Sequence, residues 1–173
     1  MTDGEHDLRG QVIVAPVSGV VHDLAEVPDP VFAEQMVGPG VAIMPDGEHT
    51  MQVLSPASGV LHKAQPHAVV VGVPQAGPGA GVLVHLGLDT VRLDGAGFTL
   101  QARPGVHVHP GTHLIDWDPG PAHAAGLPLI SPVIVLGAKP EHLRTLARPG
   151  TSVRAGQALL AWTPPGAAAA PAP

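Results

Sequence analysis

Eleven histidines and no cysteines make imidazole the one abundant side chain that can serve as nucleophile, base or metal ligand near neutral pH. The histidine in the most informative setting is His85, within the run VLVHLGLD at residues 82–89. Val82, Val84, Leu86 and Leu88 alternate there with Leu83, His85, Gly87 and Asp89. Read as a strand over 82–88, this pattern sends four aliphatic side chains to the core and leaves His85 and Asp89 on the opposite face. Four residues of strand span about 13 Å, so on a straight strand Asp89 does not reach the imidazole. Gly87 lies between them without a side chain, which leaves a shallow hollow beside the ring. A neutral imidazole in such a hollow can attack an electrophile at pH 7 without first losing a proton. The spacing alone fits an exposed histidine on a half-buried strand equally well.

The elements that hold this run must be short. Glycine (22) and proline (21) make up about a quarter of the 173 residues, and the longest stretches free of both, 48–55 and 141–148, are eight residues each. Ordinary helices run about 11–12 residues, and interior glycine and proline cost them about 1 and 3 kcal/mol. A helical bundle is thereby excluded. With 45% apolar residues spread along the chain, the composition points to an all-β fold of short strands and tight turns. Two internal repeats sharpen this. APVSGVVH at 15–22 returns as SPASGVLH at 55–62, and RPGVHVHPGTHLIDW at 103–117 returns as RPGTSVRAGQALLAW at 148–162. Two interleaved copies of each element suggest two similar half-barrels that form one antiparallel β-sandwich or partly closed barrel. Trp117 and Trp162 each end a repeat unit and read as core residues.

Strands are expected at 11–16, 40–44, 53–56, 60–63, 67–73, 82–88, 90–93, 106–108, 113–116, 132–136, 152–154 and 157–162. One or two helical turns are expected in 29–37 and in 140–147. A single domain over 11–163 follows, flanked by a flexible segment at 1–10 and a disordered Pro/Ala tail at 164–173. The N-terminus lacks the apolar core of a signal peptide, and no apolar run approaches the roughly 18 residues of a membrane span. The expectation is a cytoplasmic protein. A net charge of −6 with four aromatic residues, Phe32, Phe98, Trp117 and Trp162, excludes nucleic-acid binding, which needs phosphate neutralisation and stacking platforms.

From about Val12 to Thr163 the chain resembles the enzyme IIA domain of the glucose family of the bacterial phosphoenolpyruvate-dependent sugar phosphotransferase system. The matching runs are APVSG near Pro16, VPDPVFAEQMVGPGVAIMP at 27–45, SPASGV at Ser55, PHAVVV at Pro66, VLVHLGLDTVRLDGAGF at Val82, V-x-x-G-x-x-L from Val108 and PVIV at Pro132. The resemblance implies that His85 carries a phosphoryl group as a transient phosphohistidine and that His67 lies beside it and steadies the transfer. It implies that Asp29 and Asp89 rim the site and meet basic residues of the partners. Phe32 and Val91 would belong to an apolar docking surface, and Gln65, Gly87 and Thr90 would support the site. Gln65 stands where the family usually has threonine, and Lys63 and Leu83 where it often has phenylalanine. The implied partners are the phosphocarrier HPr and a sugar-specific enzyme IIB with its IIC permease on a separate chain. Regulatory partners of the unphosphorylated form are also compatible. No cofactor is required, though the resemblance allows Zn²⁺ shared with a partner through His67 and His85.

Two other families share features with the chain. The H-x-H pair His107 and His109, with His85 and Asp89, is similar to the ligand set of LytM-type zinc metallopeptidases. In those enzymes, however, the H-x-H pair lies many tens of residues further on, and here the second repeat replaces the pair by Ser152 and Arg154. The P-x-S-G-V frames are similar to biotinyl and lipoyl carrier domains, but neither Lys63 nor Lys139 sits in the required hairpin-tip context.

Overall fold

The computed structural model describes residues 10–164. The sequence expectations for the two termini lie outside that range, apart from Gly10 and Pro164. Frequent glycine and proline keep every element short. The first half of the chain forms β1 (Gln11–Val14), β2 (Gly19–Asp23), a helical turn α1 (Pro30–Ala33), β3 (Gly40–Met44), β4 (Met51–Leu54), β5 (Gly59–Gln65), β6 (Ala68–Gly72) and β7 (Gly81–His85). The second half adds β8 (Phe98–Leu100), β9 (His107–Val108), β10 (His113–Trp117), a second helical turn α2 (Gly120–Ala124), β11 (Ser131–Leu136), β12 (Leu143–Thr145), β13 (Ser152–Val153) and β14 (Ala158–Trp162).

The strands form one eight-stranded antiparallel sheet, ordered β13-β2-β3-β11-β7-β6-β5-β9, and two three-stranded sheets, β1-β14-β12 and β4-β10-β8. The order is symmetric about its centre. Exchanging β13 with β9, β2 with β5, β3 with β6 and β11 with β7 leaves it unchanged, and the two small sheets exchange in the same way. The sequence repeats fall on these equivalent strands: 15–22 and 55–62 place β2 on β5, and 148–162 and 103–117 place β13 and β14 on β9 and β10. The duplicated half-barrel plan is therefore present. Trp117 and Trp162 are buried, one in each small sheet. No helix among the described residues is long and apolar enough to cross a membrane.

Two apolar clusters flank the large sheet. The main one takes Val82 and Val84 from β7, with Val69, Val71, Val133 and Val135 from its neighbours. On the other face a smaller cluster joins Leu24, Val27, Phe32, Ala42, Leu88, Ile130 and Ile134. The chain between β2 and β3, including α1, covers that face. β7 is therefore buried on both sides near its end.

Several local expectations are corrected. The strand expected at 82–88 stops at His85, because Gly87 adopts φ 72° and turns the chain. Leu88 consequently packs in the smaller cluster, on the opposite side of the sheet from Val82 and Val84. The expected strand at 90–93 is a 3₁₀ turn (Thr90–Leu93) that follows Asp89 in a left-handed conformation. The segment 140–147 opens with a 3₁₀ turn (Pro140–His142) and continues as β12. β2, β8 and α2 had not been anticipated. β2 pairs with β3 and β13, and β8 pairs with β10.

Candidate active site around His85 and His67

The end of β7 brings the site together. His85 pairs in register with Ala68, the first residue of β6, and Ala68 in turn pairs with Gln65, the last residue of β5. Residues directly opposite on neighbouring strands share a face. Gln65, Ala68 and His85 thus form one cross-strand row, with the small alanine leaving room between the two longer side chains. His67 precedes β6 at the tight connection from β5. Its carbonyl accepts a hydrogen bond from the Leu86 N–H at 2.8 Å, which ties that connection to the residue after His85. The two imidazoles meet edge to face, with centroids 5.3 Å apart and planes at 73°.

Gly87 acts on His85 through its backbone. Gly87 does more than omit a side chain: its left-handed backbone aims its carbonyl back at the ring, where it meets His85 Nδ1 at 2.6 Å. A carbonyl only accepts, so Nδ1 carries the proton and donates it. In the neutral ring this leaves Nε2 with its lone pair free. A side chain at position 87 would have its Cβ 2.8 Å from both the Pro128 carbonyl oxygen and Thr90 Cγ2, so the turn demands glycine by space as well as by φ. Thr90 is buried and donates its hydroxyl to the Leu86 carbonyl at 2.6 Å.

Phe32 is expected on a docking surface but sits beneath the site. It is 8% exposed and its ring lies 5.4 Å from the His85 ring at 54°. Asp29 caps α1, accepting a hydrogen bond from Val31 N–H at 3.0 Å, and that cap delivers Phe32 to the imidazole. The exposed apolar side chains of this segment are Val31 (41%), Met36 (67%) and Val37 (39%), and Val91 (59%) is exposed on the 3₁₀ turn that follows His85. Sequence reading missed the first three. Of the two positions where the sequence departs from the phenylalanine-rich pattern, Leu83 packs against the smaller cluster and Lys63 is exposed on β5.

Electrostatics favour neutral rings. Burial pushes His85 below the ordinary histidine value, while the Gly87 carbonyl and then the Asp29 and Asp89 carboxylates oppose that shift without reversing it. Burial also lowers His67, and the neighbouring His85 lowers it further. Asp29 and Asp89 therefore both act on the histidine from the rim.

The residues of the metallopeptidase alternative do not assemble. His107 lies on β9, which is separated from β7 by β5 and β6, so about 14 Å of sheet intervenes. Among the described residues no three histidine, aspartate or glutamate side chains converge to hold a metal.

Comparison with known proteins agrees with this geometry. Residues 11–141 match the family model described as phosphoenolpyruvate-dependent sugar phosphotransferase system, EIIA 1. The chain is similar to the PTS system glucose-specific EIIA component of Oceanobacillus iheyensis, with 38% identity over 134 residues covering 76% of this chain and 77% of that protein. It is 41% identical over 126 residues to the PTS system mannose-specific EIIBCA component of Corynebacterium glutamicum, spanning 73% of this chain but only 18% of that longer protein. In three dimensions it is similar to the glucose permease IIA from Mycoplasma capricolum, with a TM-score of 0.77 and 31% identity over 88% of this chain and 96% of that one. With the family model covering most of the described residues and the fold superposing on a solved IIA, the chain belongs to the EIIA 1 family of the phosphoenolpyruvate-dependent sugar phosphotransferase system.

Proposed function

We propose that this protein is a phosphoryl carrier in which His85 Nε2 accepts the phosphoryl group of phospho-HPr and yields it to a cysteine of a sugar-specific enzyme IIB. The observation that carries the reading is the 2.6 Å contact between His85 Nδ1 and the Gly87 carbonyl, which leaves Nε2 unprotonated and aimed away from the turn. In the first step the Nε2 lone pair attacks phosphorus and the bond to the donor breaks. In the second a thiolate attacks the same phosphorus and the P–N electron pair returns to Nε2. The proton stays on Nδ1, hydrogen-bonded to the Gly87 carbonyl, throughout, so neither step requires a proton to leave the ring. Such transfer depends on positioning and electrostatics more than on further covalent chemistry.

His67, edge-on to His85, is placed to donate a hydrogen bond to the phosphoryl oxygens. A dianionic phosphoryl group beside it favours its protonated form, which strengthens that bond. Asp29 and Asp89 serve the encounter: carboxylates at the rim attract basic residues of the carriers, while Val31, Met36, Val37 and Val91 give them an apolar contact. Relatives that carry this domain are named for mannose, glucose and β-glucoside, which suits a carrier whose sugar is chosen by IIB and IIC. The two imidazoles would supply two of the four ligands Zn²⁺ takes if a partner carboxylate joined them, with a water in the remaining position.

The test is phosphorylation with phosphoenolpyruvate, enzyme I and HPr. The protein should gain one acid-labile, base-stable phosphoryl group, and His85→Ala should gain none. Uptake by His85→Ala at the wild-type rate would falsify the proposal.

A further inference from the structure

The turn that orients His85 is itself held by a residue far away in sequence. Two peptide planes meet at Gly87. In the plane between Gly87 and Leu88, the carbonyl accepts from His85 Nδ1 and the Leu88 N–H donates to the Pro128 carbonyl at 3.0 Å. In the plane between Leu86 and Gly87, the carbonyl accepts from the Thr90 hydroxyl, and the Gly87 N–H donates to the Ser131 hydroxyl at 3.0 Å. The dihedrals of Gly87, with φ at 72°, set the orientation of these planes and aim the Gly87 carbonyl. The Ser131 hydroxyl donates its own proton to the Leu129 carbonyl at 2.9 Å, which turns its lone pairs toward Gly87. Among the described residues the buried polar side chains are Ser55, Thr90 and Ser131, and two of these three bracket this one turn. Ser131 is 0% exposed and opens β11, the strand paired with β7, so it sits on a rigid platform.

We infer that Ser131 is a positioning residue for His85, acting through the Gly87 peptide to keep the imidazole in the tautomer with Nδ1 protonated and Nε2 free. Without the hydroxyl, the Gly87 N–H and the Leu129 carbonyl are left buried and unpaired, a cost the chain relieves by rotating the turn. Rotation takes the Gly87 carbonyl off Nδ1. The ring then populates both tautomers and loses a contact that favours its protonated form. This inference rests on the carrier reading for its effect on transfer, and on geometry alone for its effect on the ring.

Ser131→Thr and Ser131→Val provide the test, because the two side chains have nearly the same shape and differ in the hydroxyl. Ring ¹⁵N NMR of His85 should show a single Nδ1-protonated tautomer in wild type and in Ser131→Thr. Ser131→Val should show mixed tautomers and a lower titration midpoint. Losing an outer partner of a working histidine costs about 10–100-fold in comparable sites. Ser131 acts through a backbone group, so acceptance from phospho-HPr should fall about 10-fold in Ser131→Val and stay near wild type in Ser131→Thr. Ser131→Ala, which adds no bulk to a packed site, should behave as Ser131→Val does and replaces it if valine prevents folding. Equal tautomer populations, midpoints and rates in the threonine variant and the hydroxyl-free variant would overturn the inference. A wild-type protein that takes no phosphoryl group on His85 would defeat the carrier reading, while the ring signals would still decide the role of Ser131.

Discussion

Phe32 lies 5.4 Å from His85, ring to ring and tilted by 54°, and it is the covering of the histidine rather than part of the open surface. It shields one side of the imidazole and so contributes to the burial that lowers the His85 value. Replacing it separates two effects that the surface residues do not combine. Phe32→Ala should destabilise the fold by about 3 kcal/mol, as buried phenylalanine truncations do. It should also raise the His85 titration midpoint toward the ordinary value. Denaturant unfolding and histidine NMR check both, and an unchanged midpoint would contradict the role given to Phe32.

Met36→Ser and Val91→Ser should behave differently. Both side chains are exposed, so stability should stay within about 0.5 kcal/mol of wild type. Their loss should appear as a higher KM for phospho-HPr or IIB with little change in kcat, because they contribute to docking and not to the reacting group. Initial-rate kinetics with each carrier distinguish this from a change in the chemical step.

The pH dependence has a definite sign. Both His67 and His85 are lowered from the ordinary histidine value by burial. In the unfolded chain they bind protons near pH 6.5, and in the folded chain only at lower pH. Their contribution to stability is therefore complete above about pH 6.5 and is lost as pH falls through the folded-state values. Phosphoryl acceptance should be flat from pH 8 to 6.5 and decline only below that. An ¹H–¹⁵N titration with either midpoint at or above 6.5 would contradict this.

Gly87→Ala probes the turn. The left-handed backbone alone costs an alanine about 1–2 kcal/mol, and the new Cβ would press on the Pro128 carbonyl and Thr90. Both the melting temperature and the rate of phosphoryl acceptance should drop. A variant as active as wild type would show that the Gly87 carbonyl does not orient His85.

His67→Gln should leave the fold intact and still accept phosphate from HPr, while transfer to IIB falls by about 10²–10⁴-fold, the range for loss of a positioned catalytic group. Normal sugar phosphorylation by this variant would remove His67 from the mechanism.

Much of this site is legible along the chain. The alternation around His85 places it on a strand with aliphatic neighbours on the core side, and the paired repeats anticipate the symmetric sheet order. The family resemblance implies that His67, Asp29 and Asp89 lie around His85; in the structure His67 meets the His85 ring at 5.3 Å, and both carboxylates oppose the lowering of His85. What escapes sequence reading depends on where one glycine bends the chain. Strand periodicity continued through 82–88 puts Leu88 with Val82, whereas the left-handed Gly87 ends the strand and sends Leu88 to the other face. The apolar content of 30–36 does not reveal that Phe32 turns inward while Val31 and Met36 stay exposed, since that is decided by the surface the segment packs on. Ser131 is hidden for another reason. It is a lone hydroxyl before an apolar strand, and its importance arises from a hydrogen bond across a separation of 44 residues.

In the proposed mechanism His85 receives the phosphoryl group through Nε2 because Nδ1 is committed to the Gly87 carbonyl. The direct measurement is ¹⁵N and ³¹P NMR of the uniformly ¹⁵N-labelled protein after phosphorylation by phosphoenolpyruvate, enzyme I and HPr. The expected result is one phosphorus coupled to Nε2 of His85, with Nδ1 still protonated. A phosphoryl group on Nδ1, or on any residue other than His85, would contradict it.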